Sequence, residues 1–285
     1  MTLVNILLVG GTSMIMMYTG LLFDPAWASI AYVRTKLRPF GGLALINYIA
    51  VPLLLLGMIE MFPMNASLAL ALVTLTALPC APMVPAFISL AGEPPEWPLF
   101  VFLGFSLIGL AVVVILVAIL ANTAAYAANI GADTAVKLVQ YALAVYGPMA
   151  LGTALRFRAP ATAMKIMRPV RALSGLASIA IFGLFATVHR EEFVAMNQRD
   201  LLLVLGYVLA SSLLGAIASE GFSGSRVTAI VSTGFRNIAL GVAFATVVLR
   251  RPDVTAYMVI YSATTLCVSA AWLAIYRSAR PPRRG

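Results

Sequence analysis

Charge is scarce in this chain. Only 10% of its 285 residues are Asp, Glu, Lys or Arg, against about 25% in a soluble globular domain. Such a chain cannot cover itself with polar groups; at 62% hydrophobic and a mean hydropathy of +0.99, its solvent is lipid. Cysteine is nearly absent: Cys80 and Cys267 both fall in apolar runs, which excludes a disulfide framework and points to small reduced hydrophobes. One histidine, His189, and two separated cysteines cannot assemble an ordinary zinc site. There is no His-Glu-x-x-His, no Gly-x-Ser-x-Gly, no phosphate-binding loop and no pair of intramembrane carboxylates. Neither an enzyme, nor an ATP-driven pump, nor a bound cofactor is expected. No Lys or Arg precedes the first apolar run, so a cleaved signal peptide is not expected either.

What the chain does have is long apolar runs. At about 20 residues per crossing, they predict an all-α integral membrane protein with nine transmembrane helices near 3–23, 41–59, 66–91, 98–121, 135–155, 173–189, 201–219, 226–249 and 255–277. The net charge of +9 does not call for nucleic acid, because the basic residues lie in short segments between spans. Thirteen Lys and Arg fall on one side, including Arg34, Lys36, Arg38, Arg156, Arg158 and the tail, and five on the other. That bias puts the C-terminus in the cytoplasm and the N-terminus outside. The compact chain suggests a bacterial inner membrane, and residues 278–285 form a basic cytoplasmic tail able to touch anionic lipid.

Two spans are interrupted. In the third, Pro79, Pro82 and Pro85 each lack a backbone donor and clash with a preceding carbonyl, which opens the helix or at least kinks it. In the eighth, Ser232-Thr233-Gly234-Phe235-Arg236-Asn237 places polar and breaker residues in the middle of an apolar run. Such residues are costly in lipid unless they line a cavity or pack on protein. Interrupted helices in corresponding halves point to a transporter's substrate site. Arg236 is the one charged residue placed near mid-membrane, with no acidic partner in any span. Either an anion faces it, since Arg takes carboxylate, sulfate-like or phosphate groups in a forked geometry, or it ties down the break through carbonyls or snorkels to an interface. Asn47, Ser232, Thr233 and Asn237 are the polar groups able to share a substrate site with it, while Pro79, Pro82, Pro85 and Gly234 make the breaks.

Elsewhere the signals are weaker. Glu93 and Glu96 sit in a proline-rich turn, and Asp24 ends the first span. His189 ends the sixth span beside Arg190, either as an interfacial side chain or as a proton-coupling group. Trp27, Trp97 and Trp272 lie near span ends, as interfacial anchors do.

The span order, the proline-interrupted third span and the Gly-x-x-Asn centre of the eighth resemble the bile acid:sodium symporter family over residues 3–277. The resemblance implies two inverted repeats. Spans 3–23, 135–155 and 173–189 would form a panel domain, and those in 41–121 and 201–277 a core domain within a single membrane unit. The third and eighth spans would be broken and cross, with substrate between core and panel. The family's crossing helix reads Glu-x-Gly-x-Gln-Asn, with Glu and Gln as sodium ligands. Here Ser232 and Arg236 stand at those positions, while Gly234 and Asn237 are kept. Val84 and Pro85 fall where the family has a sodium-ligating Ser-Asn pair, Asn47 where it has a glutamine, and Pro98 and Phe102 where it has hydroxyls.

With the sodium ligands replaced together, the expected function is transport of a small organic anion by alternating access without sodium coupling. Arg236 would be a fixed cation in place of sodium. Two alternatives stand beside it: metalloid efflux of the arsenite type, suggested by Cys80 in the broken third span, and a membrane binding or sensor protein that uses the same cavity without transport.

Overall fold

The computed structural model describes residues 3–24, 27, 29–90, 92–122, 132–188, 190–194, 196–221 and 225–278. His189 and the basic tail beyond residue 278 lie outside them. The described residues are almost entirely helical, with no strand among them; the one extended pairing is an isolated bridge between Pro79 and Arg236. Among the described residues four helices are long and apolar enough to cross a membrane: Ile30–Met61, Glu96–Leu120, Gln198–Glu220 and Pro252–Tyr276. Two shorter apolar helices, Ala66–Thr76 and Ile238–Leu249, adjoin the breaks. The chain is thus a membrane-type, all-α protein.

Helix α1 (Leu3–Leu21) leads into α2 (Ile30–Leu45), whose start is capped by Ser29 accepting from the Tyr32 N–H. A π-turn at Ile46–Ala50 joins α2 to α3 (Val51–Met61). Pro52 has no N–H to offer the preceding turn, and widening the helix there accommodates its ring. The continuous helix therefore begins at Ile30 rather than near 41. Arg34, Lys36 and Arg38, read above as a loop, ride on its first turns, because long basic side chains are good helix formers that can carry their charge outward. Lys36 lies over the rings of Tyr32 and Trp97. Trp97 itself is buried and stacked on Phe100, not exposed as an interfacial anchor.

After α4 (Ala66–Thr76) the chain is non-helical until α5 (Val84–Leu90), and α6 (Glu96–Ala121) follows. Helices α7 (Ala132–Arg158) and α8 (Pro160–Val188) are separated only by Ala159, so the basic segment expected between the fifth and sixth spans is largely helical as well. A short α9 (Arg190–Val194) leads to α10 (Gln198–Gly221). Helices α11 (Arg226–Gly234) and α12 (Ile238–Phe244) flank the second interruption, a π-turn at Ala245–Leu249 continues α12, and α13 (Pro252–Ser278) closes the described chain.

Two packing groups result. Helix α1 lies against α7 and α8, and glycines set the spacing. A Cβ on Gly20 would stand 2.1 Å from the Met149 carbonyl oxygen, and one on Gly152 2.5 Å from that of Met17. Backbones approach this closely only through small residues, the usual device where helices meet in lipid. The second group packs α4, α10, α11, α12 and α13 around Leu68, Leu72, Leu75, Tyr207, Phe244 and Tyr261. At one end Arg251 grips Asp253 with Nε and Nη2, and Ser67 joins both, fastening the start of α13 to the start of α4.

Candidate functional site

The two interruptions meet. Helix α4 stops at Thr76, and Pro79 and Pro82 lie in the non-helical stretch that follows, Pro79 in the bridge and Pro82 in a turn; Pro85 is the second residue of α5, where its missing N–H does no harm. Helix α11 stops at Gly234, and Asn237 caps α12 by accepting from the Leu240 N–H at 3.2 Å. Between them the chains run antiparallel: the Cys80 N–H donates to the Phe235 carbonyl at 2.9 Å, and the Asn237 N–H to the Leu78 carbonyl at 2.7 Å. Pro79 and Arg236 are the opposed residues inside this pair of bonds. That is the position of an antiparallel ladder whose own N–H is not used, so proline fits there at no cost in hydrogen bonds. Cys80 adopts a left-handed backbone (φ 63°), uncommon for a residue with a side chain, and it lets the chain turn out of the bridge into Ala81 and Pro82.

The side chain of Arg236 is wholly buried at this crossing. Its Nη1 donates to Asn47 Oδ1 at 3.0 Å. Asn47, buried in the π-turn, donates in turn to the Leu43 carbonyl at 2.9 Å and to Thr233 Oγ1 at 3.3 Å. So Asn47, Thr233 and Arg236 form one contiguous polar chain linking the α2–α3 helix to the second break. Ser232 is buried beside them, but its hydroxyl returns to the Ala229 carbonyl of its own helix. Asn237 spends its side-chain oxygen on the helix cap. Gly234 leaves room for Ser212, whose Oγ would stand 2.5 Å from a Cβ there.

Residues missed from the sequence complete the surroundings. The Tyr207 and Tyr261 hydroxyls lie within electrostatic reach of the guanidinium, as do Tyr48 and Cys80. Thr76 donates to the Leu72 carbonyl, so the short contact between Tyr207 and Thr76 carries the tyrosine's proton. Tyr261 donates to the Gly234 carbonyl, the last of α11. Both phenols thereby fasten the ends of the broken helices.

No carboxylate pairs with Arg236 among the described residues. The Tyr207 and Tyr261 hydroxyls, whose own protons go to Thr76 and to the Gly234 carbonyl, face its remaining nitrogens as acceptors. A guanidinium does not deprotonate in a protein, so the buried positive charge persists, balanced in part by the carbonyl ends of α4 and α11 that terminate at the crossing. Arg236 does not snorkel: it is wholly buried, donates to the Asn47 amide oxygen and has the Tyr207 and Tyr261 hydroxyls beside it.

A cleft of about 560 Å³ opens nearby between α1, α6 and α7, lined by Thr19, Leu99, Leu103, Met149, Phe157 and Arg158 among others. Thr19 Oγ1 donates to the Pro82 carbonyl at 3.1 Å, joining the wall of this cleft to the first break. The cleft is mainly apolar with one cation, whereas the polar chain around Arg236 is closed off from it.

The chain matches no protein family model and no curated protein. Its function is therefore read from the site itself.

Proposed function

We propose that the chain is a secondary membrane carrier for a small organic anion, working by alternating access and without sodium coupling. It is a divergent relative of the bile acid:sodium symporters in this reading. Nine spans would lie in inverted repeats, with α1, α7 and α8 as panel and the remaining helices as core. The N-terminus would be outside and the C-terminus in the cytoplasm of a bacterial inner membrane.

The observation that carries the proposal is Arg236: fully buried, without a carboxylate partner among the described residues, and placed where two broken helices cross. A sodium ion at such a crossing would offer a removable positive charge; a guanidinium offers a permanent one. Its field, little screened in a low-dielectric interior, favours an anion at the adjoining face. Asn47 and Thr233 orient the guanidinium. The cleft between α1, α6 and α7 gives the apolar body of a substrate a place beside the first break.

The test is uptake of radiolabelled carboxylates, sulfonates and steroid anions into proteoliposomes, in sodium and in choline. The expected result is saturable uptake of at least one anion at equal rates in both salts. Uptake that requires sodium, or no flux of any anion by folded protein, would overturn the reading.

A further inference from the structure

The cleft beside the first break has a direction. Its lining comes from one end of each of three helices: Thr19 and Phe23 near the end of α1, Leu99 and Leu103 at the start of α6, and the last turns of α7 between Met149 and Arg158. At its inner end Gly20 packs against the Met149 carbonyl, and Thr19 bonds the Pro82 carbonyl of the non-helical stretch whose Pro79 opposes Arg236. At its outer end the Phe23 and Phe157 rings lie 5.8 Å apart, next to Arg158. At 1.5 Å per helical residue, Met149 and Arg158 stand about 14 Å apart along the α7 axis.

The polar groups of this lining are few, and most are spent. Thr19 Oγ1 donates to the Ile15 and Pro82 carbonyls, and Thr153 Oγ1 to the Gly20 carbonyl. Arg158 is the one charged residue among the described lining. It is exposed, and no described carboxylate pairs with it. A hydroxyl or charge in the middle of a bound molecule would therefore find no free donor there, and burying it unpaired is costly. An apolar tail reaching the outer end would cover a guanidinium and give it no partner, whereas a carboxylate would meet it in a forked geometry.

We infer that the cleft takes an organic dianion with anionic groups at the two ends of an apolar middle, about 14 Å apart, the outer one paired with Arg158. This rests on the carrier reading, which puts the other anionic group on the face governed by the field of Arg236. Arg158 is then the residue that selects a diacid over a monoacid of the same length.

The experiment is equilibrium binding of radiolabelled decanedioate and decanoate, with 10-hydroxydecanoate as competitor, to the purified full-length protein in lipid nanodiscs, empty discs subtracted. An extended chain advances roughly 1.2 Å per bond, so ten carbons match the length of the cleft. The natural chain is compared with Arg158→Gln and with Arg156→Gln, which removes the same charge from the same end of α7 at a residue that does not line the cleft. Decanedioate is expected to bind at least about tenfold more tightly than decanoate or 10-hydroxydecanoate, the least that a bond to a charged group is worth. Arg158→Gln should bring the diacid down to the affinity of the monoacid and leave the monoacid unchanged. Arg156→Gln should keep the preference. Equal affinity for diacid and monoacid in the natural chain, a preference that survives Arg158→Gln, or no saturable binding of decanedioate would overturn the inference; so would loss of the preference in Arg156→Gln. No transport enters this measurement. A missing diacid preference alongside sodium-independent uptake of another anion would sink the inference and leave the carrier. An Arg158-dependent preference without flux of any anion would leave the site and sink the carrier.

Discussion

Arg236→Gln is expected to weaken organic-anion binding severely, and uptake with it, while leaving the protein folded. Removing one member of a buried, hydrogen-bonded charge pair costs about 2–5 kcal/mol of binding, which at about 1.4 kcal/mol per decade weakens affinity roughly 30- to several-thousand-fold. The fold should survive for two reasons. The crossing is held by backbone bonds from Cys80 and Asn237, which do not involve the Arg236 side chain. A glutamine amide can still donate to Asn47 Oδ1, and it brings no net charge that must be buried. Equilibrium binding of the transported anion together with an unfolding midpoint checks both halves. Affinity within a factor of about three of the natural chain would remove Arg236 from the binding site, since charge-assisted bonds are worth more than that.

Gly20→Ala should destabilise the protein strongly: among the described glycines, an added methyl meets its neighbour most closely here. The added Cβ would lie 2.1 Å from the Met149 carbonyl oxygen, a backbone atom that cannot rotate aside. Helix α1 would have to move off α7, and the Thr153 hydroxyl that reaches the Gly20 carbonyl would move with it. Overpacking of this kind costs typically about 1–3 kcal/mol and sometimes more, a large share of the roughly 5–15 kcal/mol that holds a protein together. Gly175→Ala in α8 is the control. Nothing lies within 4 Å of its Cβ, and exchanging glycine for alanine inside a helix gains about 0.5–1 kcal/mol. Unfolding midpoints of the two variants should therefore move in opposite directions; an unchanged midpoint for Gly20→Ala would mean that the helices are not packed this tightly.

The helical, membrane-type character follows from composition together with the long unbroken apolar runs, because a backbone in lipid is satisfied only in helices or closed barrels and barrel strands would alternate apolar with polar residues. Helix ends are a different matter. Arg34, Lys36 and Arg38 look like a loop when hydrophobicity defines a span, yet they lie in helix α2, since helix formation depends on backbone and side-chain entropy and not on polarity. Ala159 alone separates α7 from α8 for the same reason. At the site, proline and glycine chemistry locates where helical bonding must lapse, and α4 and α11 end at Thr76 and Gly234. The register of the crossing is not legible, because it depends on which two extended segments, 157 positions apart, come face to face. Nor is the split between Asn47, which reaches Arg236, and Ser232, four residues before it, which does not. Tyr207 and Tyr261 are invisible to motif reading because they belong to helices that are otherwise unremarkable; only the three-dimensional packing brings their hydroxyls to the breaks.

Sodium is the most direct probe of the central claim that a fixed guanidinium stands in place of a bound cation. The unfolding midpoint of the purified protein should be compared in the chloride salts of sodium, potassium and choline at matched ionic strength. A ligand at 100 times its dissociation constant stabilises by about 2.7 kcal/mol, which a midpoint resolves easily. The account predicts the same midpoint in all three salts. A saturable, sodium-specific rise would mean that a cation site persists at the crossing of the broken helices, and it would contradict the role assigned to Arg236.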